Sequence, residues 1–301
     1  MVEIKDVISV GISDPKTVEP DLLLLFSPHK LGKTSILSAL TWYTEQNEPI
    51  AFMLDLEEGS KYVRRAGFSI NRRQSKDNKI KDFIKIIKIL EDYRNKNGKN
   101  KYKIGIVDNI TILDEWMEYY ATRIYMKSNI GKKWNRDSNN EPIHDETNPN
   151  FRSIIEVVSK QGSIGYYKMR EHFKSFLQRI YGLFDKVILV GHVRDKLEDK
   201  SNEITNVSQL EIDLTGKLRG IIPRSVDAVG KLIAKGDERL LSFLVRSDTE
   251  GVGTRCNYLA GKVLPISLAK RDDPEDKQQI TDIEFYWENI FPSLCEYKYN
   301  K

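Results

Sequence analysis

The stretch Leu22-Leu-Leu-Leu-Phe-Ser-Pro-His-Lys-Leu-Gly-Lys-Thr34 sets the reading of the chain. Its first five residues form a continuous apolar run, the pattern of a strand covered on both faces. Ile36, Leu37, Leu40 and Tyr43 then recur at helical spacing. A strand, a short loop ending Gly-Lys-Thr and a helix together make the context of a P-loop, whose backbone N–H groups and helix N-terminus cradle phosphates. In that reading Ser27, Pro28, His29, Lys30, Leu31, Gly32, Lys33, Thr34 and Ser35 bind a nucleoside triphosphate. Lys33 neutralises the β and γ oxygens, and the Thr34 hydroxyl ligates Mg²⁺. Gly-Lys pairs stand at 32, 98, 131, 216, 230 and 261, and only the first is followed by Thr or Ser. Ser27 replaces the first Gly of the G-x-x-x-x-G-K-[ST] pattern. It fits if its φ stays negative, and Pro28 stiffens the turn after it.

The 301 residues, 40% hydrophobic and 31% charged with a net charge of +4, suffice for one large α/β core and a small appendage. The weak positive balance neither requires nor opposes a polyanionic partner. Cys256 and Cys295 stand alone, without metal-ligand spacing, which suggests a reducing compartment and no structural zinc. The chain has no run of membrane-spanning length and its N-terminus lacks a signal-peptide pattern, so a cytoplasmic, membrane-free protein is expected.

Strand and helix patterns alternate through the first two-thirds. Strands are expected at 22–26, 50–54, 103–107 and 186–190. One helix carries Ile80, Phe83, Ile84, Ile87 and Leu90 and ends near Asn97-Gly98. A second carries Leu113, Trp116, Met117, Tyr120 and Ile124, opened by Thr111-x-x-Asp114 in capping-box spacing. A third carries Met169, Phe173, Phe176, Leu177, Ile180 and Phe184. This order predicts a mostly parallel, doubly wound sheet with helices on both faces. Later strands at 226–234, 239–246 and 262–267 read as an antiparallel extension. The expected division is a P-loop domain over 1–269, interrupted by a polar insertion at 127–163, and a tail over 270–301. Phe285, Tyr286, Trp287, Ile290 and Phe291 should dock that tail on the core. A second polar stretch covers 194–209.

Asp108 closes the third strand, where a carboxylate supports the Mg²⁺ water shell, with Thr34 as the other metal-site residue. It reads alternatively as a helix-entry cap. Many P-loop ATPases place a glutamate next, but here that position is Asn109. Asp55-Leu56-Glu57-Glu58 ends the neighbouring strand, so Glu57 is the candidate base acting on water. Glu58 is a weaker candidate, and a solvated acidic turn is the bland reading. His192 ends the fourth strand as a candidate sensor of the γ-phosphate or a structural histidine. His144 and His172 carry no constellation.

These residues resemble a known family. The ordered set runs from the P-loop through Leu54-Asp-Leu-Glu-Glu-Gly59 and Ile106-Val-Asp-Asn-Ile-Thr111. It continues with Tyr166-x-x-Met169-Arg170-x-x-Phe173-x-x-Phe176-Leu177, Val187-Ile-Leu-Val-Gly-His-Val193 and Asp213-Leu-Thr-Gly-Lys-Leu218. Over roughly residues 20–265 the chain looks like the bacteriophage AAA-type nucleotide-binding proteins with a RecA-like core, which include the Sak-type recombination ATPases. The resemblance implies an Mg²⁺-dependent ATPase acting in phage DNA recombination or replication, with Glu57 as base and His192 as sensor. It implies single-stranded DNA held by the two polar stretches, with Lys132, Lys133, Trp134, Arg194 and Lys196 as contacts. It also implies a homo-oligomeric ring or filament in which Arg246 or Arg255 completes a neighbour's site. The acidic residues of both stretches leave solvated loops as the alternative. The rival class is a weakly hydrolysing nucleotide-binding regulatory or assembly module that contacts protein rather than DNA.

Overall fold

A computed structural model describes residues 18–28, 30–63, 65–157, 164–196, 209–235, 238–245, 252–272 and 279–299. In chain order the elements begin β1 (Leu22–Ser27), α1 (Lys33–Leu40), β2 (Tyr43–Glu45), β3 (Glu48–Pro49), β4 (Ala51–Asp55) and β5 (Gly67–Ser69). There follow α2 (Lys76–Asn97), β6 (Ile104–Asp108), α3 (Ile110–Lys127), α4 (Ile164–Tyr181), β7 (Lys186–Lys196), β8 (Gln209–Ile212) and α5 (Leu218–Ser225). The chain closes with β9 (Ala228–Lys235), β10 (Glu238–Ser242), β11 (Gly253–Thr254), β12 (Val263–Asp272), β13 (Gln279–Glu284) and β14 (Lys298–Tyr299).

The main sheet runs β13-β12-β10-β9-β1-β7-β6-β4-β5, with β8 and β11 added at β7 and β9. The pairs from β9 to β5 are parallel, and β9, β10, β12 and β13 follow one another antiparallel. This is a RecA-like P-loop α/β fold with the expected late antiparallel strands. The central strands are apolar throughout because both faces are covered. Leu24 and Phe26 of β1 pack with Phe83, Trp116 and Phe173 of α2, α3 and α4. Leu23 and Leu25 face the other way, onto Ile36 and Leu37 of α1 and onto Trp287 and Phe291. Each such leucine contributes about 2 kcal/mol by leaving water.

Along the chain's end, β12 runs through the expected boundary at 269/270 and pairs with β13. Beyond it Phe285, Trp287, Ile290 and Phe291 are buried, while Tyr286 is exposed. The Trp287 indole N–H donates to the Ile36 carbonyl at 2.8 Å, fixing this segment against α1.

Three local expectations change. Helix α3 is capped by Asn109, whose side chain accepts the Ile112 N–H at 2.9 Å, and Thr111 and Asp114 lie inside it. Strand β7 continues past His192 to Lys196 and pairs antiparallel with β8, so the described ends of the 194–209 stretch are strand, with Arg194 and Lys196 in the ladder. The 127–163 insertion packs on the core over its described residues, 127–157. Ile143, Ile154 and Val157 are buried against the core, and Ser153 caps a short 3-10 turn. Among the described residues no helix is long and apolar enough to cross a membrane.

Candidate nucleotide site

Four parallel strands bring the chemistry together at their C-terminal ends. β1 delivers the P-loop, and β7 lies beside it with Ser27 opposite His192. β6 follows with Asp108, and β4 with Asp55 in register with Asp108. Gly32 precedes α1 with φ of 86°, a left-handed conformation that a side chain would strain. Lys33, Thr34, Glu57, Asp108, His192 and Arg239 line a cavity of about 490 Å³ over this loop.

Lys33 is buried, and its ammonium donates to the Ser27 carbonyl at 3.2 Å, the Ser27 hydroxyl at 3.1 Å and the Pro28 carbonyl at 3.0 Å. These partners are neutral, so the positive charge is not cancelled by direct contact. Burial holds the Lys33 ammonium below its ordinary pKa, against the opposing pull of Asp108 and Glu57. The ammonium also lies 3.3 Å from His192 Nδ1. An ammonium has only donors, so Nδ1 accepts and the ring proton belongs on Nε2. That nitrogen donates to Glu57 Oε1 at 2.8 Å. The Asn109 amide nitrogen lies 2.8 Å from the same nitrogen and, with the ring proton there, donates to the Glu57 carboxylate instead. Burial pushes the Glu57 carboxyl up, but His192, Asn109 and Lys33 outweigh it and hold the group below its ordinary range.

Thr34 donates its hydroxyl proton to Asp108 Oδ2 at 2.8 Å. Burial drives the Asp108 carboxyl up to about 6, with Asp55 and Glu57 adding to the rise and Thr34 and Lys33 opposing it. A hydroxyl and a carboxylate in contact beneath a phosphate loop form a donor set suited to Mg²⁺. That ion is held by one or two protein oxygens together with substrate phosphates. Among the described residues no cluster of three His, Cys, Asp or Glu side chains forms a protein-only metal cage.

Asp55 is a site residue that the sequence reading left inside an acidic turn. Its Oδ1 accepts the Glu57 and Gly59 N–H groups at 3.1 and 3.2 Å, and its Oδ2 accepts the Ser60 N–H at 2.9 Å and the Ser69 hydroxyl at 2.8 Å. The Ser60 hydroxyl binds the same oxygen. This fully buried carboxylate folds the loop that presents Glu57. Asp55→Ala should cost at least about 3 kcal/mol, since it strands several buried donors. Urea unfolding measures the loss, and Asp55→Asn should recover part of it.

The other expected residues separate into groups. Glu58 turns away, accepting the Arg72 N–H at 3.2 Å, with the Arg72 guanidinium at 3.8 Å. Trp134 is half-buried, its indole N–H donating to the Arg152 carbonyl at 3.1 Å with the Arg152 guanidinium 4.2 Å above the ring. Lys132 and Lys133 are exposed on the adjoining turn. Arg194 and Lys196 belong to β7, opposite Glu211 and Gln209 of β8. Arg255 donates to the Arg224 carbonyl at 2.9 Å and faces Asp227 at 3.7 Å, near the strand ends remote from the P-loop. His29 and Arg246 lie outside the described residues. Sequence reasoning missed Arg239, because only the sheet order brings the start of β10 over Gly32.

The AAA domain family matches residues 20–256, most of the chain and all of this constellation. The chain belongs to that family. Among curated proteins, none matches it. The AAA domain is a nucleotide-binding ATPase type of domain, consistent with the cavity over its P-loop.

The AAA domain also ties the site to a second surface. His192 accepts the Asp213 N–H on its carbonyl at 2.9 Å and donates its own N–H to Thr111 at 3.2 Å. Two residues on, the Thr215 N–H donates to Asp114 at 2.6 Å. Burial pushes the Asp114 carboxyl up to about 6, with Glu118 and Asp213 adding to the rise against the Thr215 hydrogen bonds.

Proposed function

We propose that this chain is an Mg²⁺-dependent ATPase with a RecA-like core that works on single-stranded DNA in phage recombination or replication, as a cytoplasmic homo-oligomer. The observation that carries the catalytic part is the convergence of Lys33, Thr34, Asp108, Glu57 and His192 on one cavity at the C-terminal ends of four adjacent parallel strands. P-loop backbone N–H groups and Lys33 bind and orient the phosphates. Thr34 and Asp108 would hold Mg²⁺, which when bound neutralises charge on the phosphate oxygens. Glu57 is ionised at neutral pH by its surroundings and takes the proton of an attacking water. His192 positions Glu57 through Nε2 and registers the phosphate end through Lys33. Phosphate loss would then move β7 and, through the Asp213 hydrogen bond, the segment beyond it.

The DNA part is supported by a cavity of about 400 Å³ that includes Tyr166, Tyr167, Arg170, Thr215 and Lys217. Tyr166 and Tyr167 are 40% and 54% exposed, and the Arg170 guanidinium lies 5.7 Å from the Tyr167 ring. Exposed rings with flanking cations suit base stacking and backbone neutralisation. The double change Tyr166→Ala and Tyr167→Ala should weaken binding of a labelled oligonucleotide about 10-fold or more, from stacking worth roughly 1–3 kcal/mol per base. Fluorescence anisotropy across a salt series tests this, with ATP turnover measured in parallel.

One observation favours the rival, a slowly hydrolysing assembly module. Glu57 is already bound by His192 and Asn109, so turnover requires that pairing to open. Tight ATP binding with negligible phosphate release and no oligonucleotide binding would support that reading.

A further inference from the structure

We infer that Arg239 is a phosphate ligand of the nucleotide site, supplied by the same subunit and acting on the diphosphate part shared by ATP and ADP. The inference rests on the nucleotide reading of the P-loop. Arg239 is the second residue of β10, paired with Ala234 of β9 and Ile266 of β12. Its guanidinium extends over the loop, where a β-carbon on Gly32 would lie 2.9 Å from Nη1. It lines the same cavity as Lys33 and Thr34.

Among the described residues the Arg239 guanidinium has no hydrogen bond, ion pair or ring contact. That is unusual in so occupied a site. Lys33 is held by Ser27 and Pro28, Thr34 by Asp108, and Glu57 by His192. A planar cation with five donors and no acceptor, set over an anion-binding loop, matches a phosphate better than any other ligand class.

The sheet order fixes the side from which it acts. Strands β7 and β6, which carry His192 and Asp108, and β4, which leads into the loop of Glu57, lie to one side of β1, and β9 and β10 lie to the other. Arg239 therefore approaches Gly32 from the flank opposite the water-activating groups. A cation there meets the phosphates seated on the loop backbone rather than the γ-phosphoryl group that is transferred to water. It serves ADP and ATP alike and changes KM more than kcat. A finger from a neighbouring subunit acting on the γ-phosphate would have the reverse signature.

Calorimetric titration of Mg-ADP into the full chain tests this in wild type, Arg239→Ala, Arg239→Lys and Lys33→Ala. Arg239→Ala should weaken ADP binding roughly 10- to 100-fold, the value of a charge-assisted pair, with Lys recovering part. Its melting temperature without nucleotide should match wild type, because no partner is lost. An equimolar mixture of Arg239→Ala and Lys33→Ala subunits should bind no better than the sum of its parts. Wild-type affinity in Arg239→Ala, with binding lost in Lys33→Ala, overturns the Arg239 assignment and leaves the nucleotide site standing. Restored binding in the mixture overturns its supply by the same subunit. No ADP binding by wild type overturns both.

Discussion

Lys33→Ala is expected to reduce Mg²⁺-ATP turnover by about 10³-fold or more, the order of loss when a preorganised charge is removed from a transferring phosphoryl group. The structure explains the size. The ammonium sits among carbonyl and hydroxyl oxygens and the His192 ring, not against a carboxylate, so its charge remains available to the phosphates. Its loss also frees Nδ1 of His192, which unsettles the tautomer that donates to Glu57. Phosphate-release kinetics measure the effect. The variant's melting temperature must be recorded, because Lys33 is buried. Unchanged turnover would remove the P-loop assignment.

Glu57→Gln should keep nucleotide affinity within a few-fold of wild type and lower turnover by about 10²- to 10⁴-fold, the usual worth of a positioned base. Glutamine preserves the size of the side chain and an oxygen that can accept from His192 Nε2, so the local fold persists while proton abstraction is lost. Glu58→Gln serves as the contrast, with turnover expected near wild type because Glu58 is held by Arg72. The pH dependence has a definite sign. The Glu57 carboxyl lies below its ordinary range, so its contribution is complete at neutral pH and is lost only as pH falls through that depressed value. Normal turnover in Glu57→Gln would place the base elsewhere.

The sequence carried the central strands and the three long helices because each is a long apolar or amphipathic pattern, and such patterns survive without tertiary information. Residues 22–26 became β1, and the 3.6-residue spacing of Ile80, Phe83, Ile87 and Leu90 became the buried face of α2. The order of strands followed from the RecA-like reading, and with it the approach of Thr34 to Asp108. Short elements were not legible. β5 has three residues, Gly67–Ser69, and takes its strand geometry from β4. Helix α5 contains Gly220 and Pro223, residues that read as breakers, yet Leu218 and Ile222 bury it against the core. Asp55 looked like one more acid before a glycine, because hydrogen bonds to backbone N–H groups leave no trace in residue spacing. Trp134 looked like a stacking residue because an aromatic among lysines does not reveal that Arg152 folds back over it.

Phosphate release from ATP by the purified full chain, with Mg²⁺ and then with excess chelator, is the most direct test of the proposed activity. Multiple turnovers in Mg²⁺ that stop on chelation and are absent in Lys33→Ala are the expected result. A chain that retains its folded melting transition but releases no phosphate in either condition, and binds no Mg-ATP in equilibrium dialysis, would contradict it.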